Sequence, residues 1–173
     1  MRNEIESSLQ ALIGLPLLSA GRSADLEWFQ FGGPQTVTNS RGETKTVGEY
    51  ALHIQCAWRI RDSSGIIVAS RDRYEPAEAV EDLESFDWDQ PGANLCDRKM
   101  RQFLAEEKGG GQIVTQVEAD DVGSLRILLS TDVAIEVFPD SSEEDEYSEH
   151  WRFFQSTSGT KHLVVRNGGC SRD

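Results

Sequence analysis

The sequence predicts an α+β domain: one antiparallel sheet of about six to eight strands in meander-like hairpins, with two helices packed on one face. Three observations lead there. First, the stretch from Tyr50 to Arg61 alternates. Tyr50, Leu52, Ile54, Cys56, Trp58 and Ile60 fall on one side; Ala51, His53, Gln55, Ala57, Arg59 and Arg61 fall on the other. Successive side chains of a strand point to opposite faces, so this reads as a central strand with one dry face and one wetter face. Second, short apolar runs separated by turn residues recur along the chain, as antiparallel hairpins require. Third, two stretches place their apolar residues at helical spacing instead. The length of 173 residues fits a single domain, 1–173.

Residues 3–15 read as the first helix. Asn3 offers an N-cap with Glu6 in capping-box position, and Ile5, Leu9, Leu12 and Ile13 share a face before Gly14 and Pro16. The apolar run at 11–20 follows Glu4 and Glu6, where a signal peptide would carry a positive segment, so it is assigned to this helix. Residues 25–31 form the first strand, with Leu26 and Trp28 opposite Phe29 and Phe31. Gly32, Gly33 and Pro34 stop it, Thr36 to Thr38 continue as an edge strand, and Asn39 to Gly42 turn the chain into 44–47. After the central strand, Asp62 to Gly65 form a tight turn into a strand at 66–70. Residues 72–89 admit a short helix opening at Pro76, or an irregular lid across one sheet edge. Residues 94–107 are the second helix, with Leu95, Cys96, Met100, Phe103 and Leu104 on its apolar face. Gly109 to Gly111 then form a loose connection to strands at 112–118, 124–130, 133–138, 150–155 and 161–166.

The net charge of −13 is concentrated in two segments. Residues 72–89 hold eight acids against Arg73, residues 140–149 hold six acids and no base, and the rest of the chain is neutral. Such segments repel nucleic-acid phosphates and anionic lipid, and attract a basic partner or cations. No nucleic-acid or membrane partner is expected, and no apolar run approaches the roughly 18 residues of a membrane span. Cys56, Cys96 and Cys170 form no CxxC pair and no disulfide framework, so a reducing, cytoplasmic setting is the expectation.

The chain lacks GxxxxGK[ST], GxGxxG and GxSxG. The acidic run at 140–146 lacks the glycine and the alternating oxygens of an EF-hand loop. Asp87 and Asp89 flank Trp88, and in so acidic a segment the pair is assigned to chance. His53 and Cys56 stand three apart on a strand, on opposite faces, and cannot hold one ion. His53, His150 and His162 come from different strands. No cofactor, metal or catalytic residue is therefore expected. Two surfaces remain. Glu143, Glu144, Asp145 and Glu146, with Glu81 and Asp82, could receive a basic protein. His53, Gln55 and Arg59 could form a ligand face, unless Arg59 and Arg61 simply pair with acids on neighbouring strands, each exposed pair worth at most about 1 kcal/mol. The expected function is a non-enzymatic interaction module for a basic partner. In being small, acidic and without a catalytic signature, the chain is similar in character to immunity proteins, which neutralise toxins. The alternative is a small-ligand binder or enzyme with its site on the polar face of the central strand. Homodimerisation through an edge strand is open as well.

Overall fold

The computed structural model describes every residue except 39, 40, 107–110 and 146. Helix α1 (Arg2–Leu9) runs into a 3-10 turn (Gln10–Leu12) and then five strands: β1 (Leu17–Ser23), β2 (Leu26–Thr38), β3 (Thr44–Ile54), β4 (Ala57–Arg61) and β5 (Ile66–Ala69). A second 3-10 turn (Ser70–Tyr74) leads through an irregular stretch to α2 (Leu95–Glu106). Six strands follow: β6 (Val114–Ala119), β7 (Leu125–Leu129), β8 (Ala134–Phe138), β9 (Glu149–Gln155), β10 (Leu163–Arg166) and β11 (Gly169–Arg172).

These strands form two antiparallel sheets, which corrects the expected single sheet with both helices on one face. One sheet has the order β1-β2-β3-β9-β10-β11, the other β5-β4-β8-β7-β6. The division falls inside the stretch read as one central strand. Ile54 still pairs with Trp151 in the first sheet; Ala57 already pairs with Phe138 in the second. Gln55 and Cys56 make the crossing, where Gln55 N donates to His150 O at 2.8 Å. The chain passes between the sheets a second time, from β8 to β9, beside the first crossing. The alternation survives it: Leu52, Ile54, Cys56, Trp58 and Ile60 are all buried. The inward face of one sheet continues as the inward face of the other, so a change of sheet leaves the period unbroken.

A single apolar cluster joins the two sheets. Phe29 on β2 meets Trp58 on β4 edge-on, with ring centroids 5.6 Å apart. Trp151 on β9 is fully buried and donates Nε1 to the Gly123 carbonyl, between β6 and β7, at 2.8 Å. The helices sit at the sides of this core. Ile5, Leu9 and Leu12 enter the cluster, α1 packs on β6, and Ser8 accepts from Arg172 of β11. Helix α2 packs on β1, β5 and the second 3-10 turn. Each helix thus stands beside one edge strand of each sheet, where unpaired backbone would otherwise be open to other chains. An edge-strand homodimer would have to use what the helices leave open.

Several local expectations change. Met1, without a side-chain cap, opens α1, and Glu6 instead accepts from Ala119 N at 3.1 Å. Edge strands β1 and β11 are additions; neither has a clean alternation of burial. Residues 75–94 form no helix at Pro76; Pro76 bridges Asn94, and the segment lies irregularly against the start of α2. The hairpin of β2 and β3 is present, with Thr38 paired to Thr44, but Gly32, Gly33 and Pro34 do not stop β2: it runs through them with a register shift between Phe31 and Pro34. Part of its turn, Asn39 and Ser40, lies outside the described residues, as do Gly109 and Gly110. No helix among the described residues is long and apolar enough to cross a membrane.

Candidate functional site

A cleft of about 680 Å³ opens between the β1–β2 hairpin, the irregular acidic segment and α2. The hairpin turns tightly, with Ser23 paired to Leu26. Ala24 in the turn has φ +52°, a left-handed conformation that is unusual for a residue with a Cβ. Just below the turn, Arg22 and Glu27 are cross-strand partners. Helix α2 begins at Asn94, whose Oδ1 accepts from Asp97 N at 2.8 Å in an N-cap. That cap places Asp97 in the cleft wall facing Arg22.

Arg22 ties the three pieces together. It donates to both oxygens of Asp97, at 2.7 and 3.0 Å, to Asp89 Oδ1 at 2.8 Å and to the Trp88 carbonyl at 3.2 Å. Its guanidinium lies 5.8 Å from the centre of the Trp88 ring. Asp97 also accepts from Gly92 N at 2.7 Å. Burial alone would raise the Asp97 pKa; the hydrogen bonds from Arg22 and Gly92 outweigh it and hold Asp97 below the usual range. Arg22 is therefore committed to two carboxylates.

Glu27 differs. It is 2% exposed, on the same inner side of β2 as Phe29 and Phe31, and no hydrogen bond joins its carboxyl to another described residue. Burial pushes its pKa up to about 8, against the pull of Arg73 and Arg22. Arg73 stays committed to the carbonyls of Ser70 and Asp25. Cys96 lines the same cleft, its thiol pushed up to about 12 by burial. Trp28, Met100 and Leu104 supply apolar wall. The arrangement holds one carboxyl neutral at neutral pH, ready to ionise slightly above it, beside an ion-paired rim.

The expected ligand face is not one face. The crossing between sheets divides it. His53 stays on β3, half-buried, with its ring edge-on to Phe154 at 4.9 Å. Gln55 lies in the crossing and donates to Glu149 Oε1 at 2.9 Å. It lines a separate cleft of about 610 Å³ with Glu149, Arg152 and Arg166. Arg59 lies on the other sheet, where Arg59 Nε and Arg61 Nε donate to the two oxygens of Glu136 at 2.6 and 3.0 Å. That is the cross-strand pairing expected as the plainer reading.

The acidic residues are placed as follows. Glu81, Asp82, Glu143, Glu144 and Asp145 are exposed; Glu146 lies outside the described residues. Asp145 holds a turn by accepting from Tyr147 N at 2.6 Å and Ser148 N at 3.0 Å. Part of the first acidic segment is neutralised within the fold: Asp72 pairs with Lys99, Glu78 with Arg98 and Asp89 with Arg22.

Glu27 was open to detection, since an acid in register with Phe29 and Phe31 faces inward. Arg22 was not, because β1 carries no clear strand pattern. Of the Asp87 and Asp89 pair assigned to chance, Asp89 lines the cleft and pairs with Arg22. Comparison with known proteins yields no match: no family model fits this sequence, and no curated protein or solved structure is significantly similar to it.

Proposed function

We propose that the chain is a binding module for a small organic cation, an amine on an apolar body, received in the cleft beside Glu27. What supports the reading is the Glu27 carboxyl itself, on a residue 2% exposed that lines the cleft, with no hydrogen-bond partner among the described residues. A buried polar group left unpaired is destabilising, so a retained one marks a place where a partner arrives. An ammonium group supplies that partner, and the walls of Trp28, Met100 and Leu104 receive its apolar body. Arg22 cannot serve as an anion site, since Asp89 and Asp97 already satisfy it.

Binding an amine requires Glu27 to ionise and release its proton. With a pKa of about 8, affinity should rise about tenfold per pH unit up to that point and level off above it. The test is calorimetry with benzylamine and 1,4-diaminobutane between pH 6 and 9, against benzyl alcohol and 1,4-butanediol. The amines should bind with that pH slope, and Glu27→Gln should abolish binding. Equal binding of the alcohols, or an unaltered Glu27→Gln, overturns the reading.

A second reading keeps the acidic segments as a docking surface for a basic protein. It is favoured by apolar side chains left out among the acids, Leu83 at 70% and Tyr147 at 84% exposure. On this reading, capture of a basic partner weakens steeply with salt. Neutralising Glu143, Glu144, Asp145 and Glu146 together removes the interaction, and a pull-down indifferent to that change rules it out.

A further inference from the structure

The two chain crossings bring together side chains that the sequence keeps far apart. Cys56 lies in the crossing from β3 to β4. Asp140 follows β8, and His150 opens the second half of the other crossing on β9. Their ligand atoms, one sulfur, one carboxylate oxygen and one imidazole nitrogen, all lie within 4.8 Å of one another. Cys56 and His150 are 5% and 4% exposed, and Asp140 faces solvent. His150 is buried as a residue, and no hydrogen bond joins its imidazole to another described side chain or backbone group, so its ring is open to a partner beside a thiol and a carboxylate.

We propose that Cys56, Asp140 and His150 form a binding site for a divalent ion of the zinc class, with a fourth position open to solvent on the Asp140 side. The donor set suits such an ion: thiolate and imidazole select borderline-soft metals over calcium or magnesium, and three protein ligands with one open place is a known zinc arrangement. The distances fit as well. With bonds of about 2.0–2.3 Å, tetrahedral ligand atoms stand about 3.3–3.8 Å apart, so closing the site needs movements of about 1 Å. On binding, the Cys56 S–H bond breaks, the sulfur bonds to the metal, and the proton passes to solvent. The site also has a local source of attraction, because Asp140 and His150 bracket the acidic loop of 140–149. The ion would fasten both ends of that loop to the crossing. The same three residues are poorly arranged as a thiol nucleophile with its base, since Cys56 is buried away from any substrate.

The proposal is independent of the amine cleft and is tested with Co²⁺ as a spectroscopic substitute. Titration of the reduced protein should give a thiolate-to-cobalt charge-transfer band at one equivalent, and Zn²⁺ should displace it. Cys56→Ser should lose the band. Asp140→Asn, an exposed change that leaves the core intact, should weaken Co²⁺ by at least about tenfold. Cys170→Ser should leave the band unchanged, which separates this site from adventitious binding at the more accessible thiol. Absence of a band in the wild type, its survival in Cys56→Ser, wild-type affinity in Asp140→Asn, or its loss in Cys170→Ser each overturns the assignment.

Discussion

Replacing Trp151 with alanine should destabilise the protein by about 4–5 kcal/mol, measured by chemical denaturation. The indole is fully buried on β9, and its Nε1 bonds a carbonyl that belongs to the other sheet's β6–β7 connection. Truncation removes the largest contact class in a core and leaves a cavity that the two sheets can fill only by moving together. It also strands the Gly123 carbonyl. The turn beneath has little room to relax: a Cβ on Gly123 would stand 2.7 Å from Val165 Cγ1. Trp58 supplies an internal control. It is as deeply buried, but its Nε1 has no hydrogen-bond partner among the described residues. Trp58→Phe should therefore cost less than Trp151→Phe by about 1 kcal/mol, the worth of one hydrogen bond. A Trp151→Ala loss below about 1.5 kcal/mol would mean that the sheets do not share a core.

The second large effect is a gain. Glu27→Gln should stabilise the protein at pH 9 by roughly 5 kcal/mol and leave it unchanged near pH 4. The folded Glu27 pKa is raised to about 8, above its ordinary value of 4.5. Below about pH 4.5 the carboxyl is protonated in both states, and burial is tolerated. Between there and pH 8 the unfolded chain ionises while the folded chain holds its proton, so the folded state binds more protons and stability falls as pH rises. Above about pH 8 the penalty is complete. Glutamine copies the shape of the neutral acid and cannot ionise. The difference between variant and wild-type stability curves isolates this group from the carboxylates whose pKa values are lowered, such as Asp97 and Glu136, which act in the opposite sense at low pH. Parallel curves from pH 4 to 9 would show that Glu27 is not buried as described, and the amine reading would fall with it.

Much of the local structure was legible in the sequence. The inward faces of the strands follow from parity alone: Leu52, Ile54, Trp58 and Ile60 are buried as their alternation requires. Helix α2 and the hairpin of β4 and β5 lie close to where spacing and turn residues put them. The pairing of Arg59 and Arg61 with an acid on a neighbouring strand was also within reach. The candidate site was much less legible. Glu27 is marked only by its parity with Phe29 and Phe31. Arg22 lies on an edge strand whose residues are mostly half-buried, so its pattern carries no period.

What the sequence determined by itself is which side chains face inward, because alternation and helical spacing are local properties of the backbone. Which strands share a sheet depends on pairings between distant segments, β3 with β9 and β4 with β8. The stretch from Tyr50 to Arg61 shows why the two differ. Its dry face remains dry as it passes from one sheet to the other, so nothing in its period records the change of partners. The same long-range pairings set Cys56 beside Asp140 and His150, and set Arg22 against Asp97. Only the tertiary structure could bring those groups together, since their approach follows from strand register across the whole chain and not from any spacing within it.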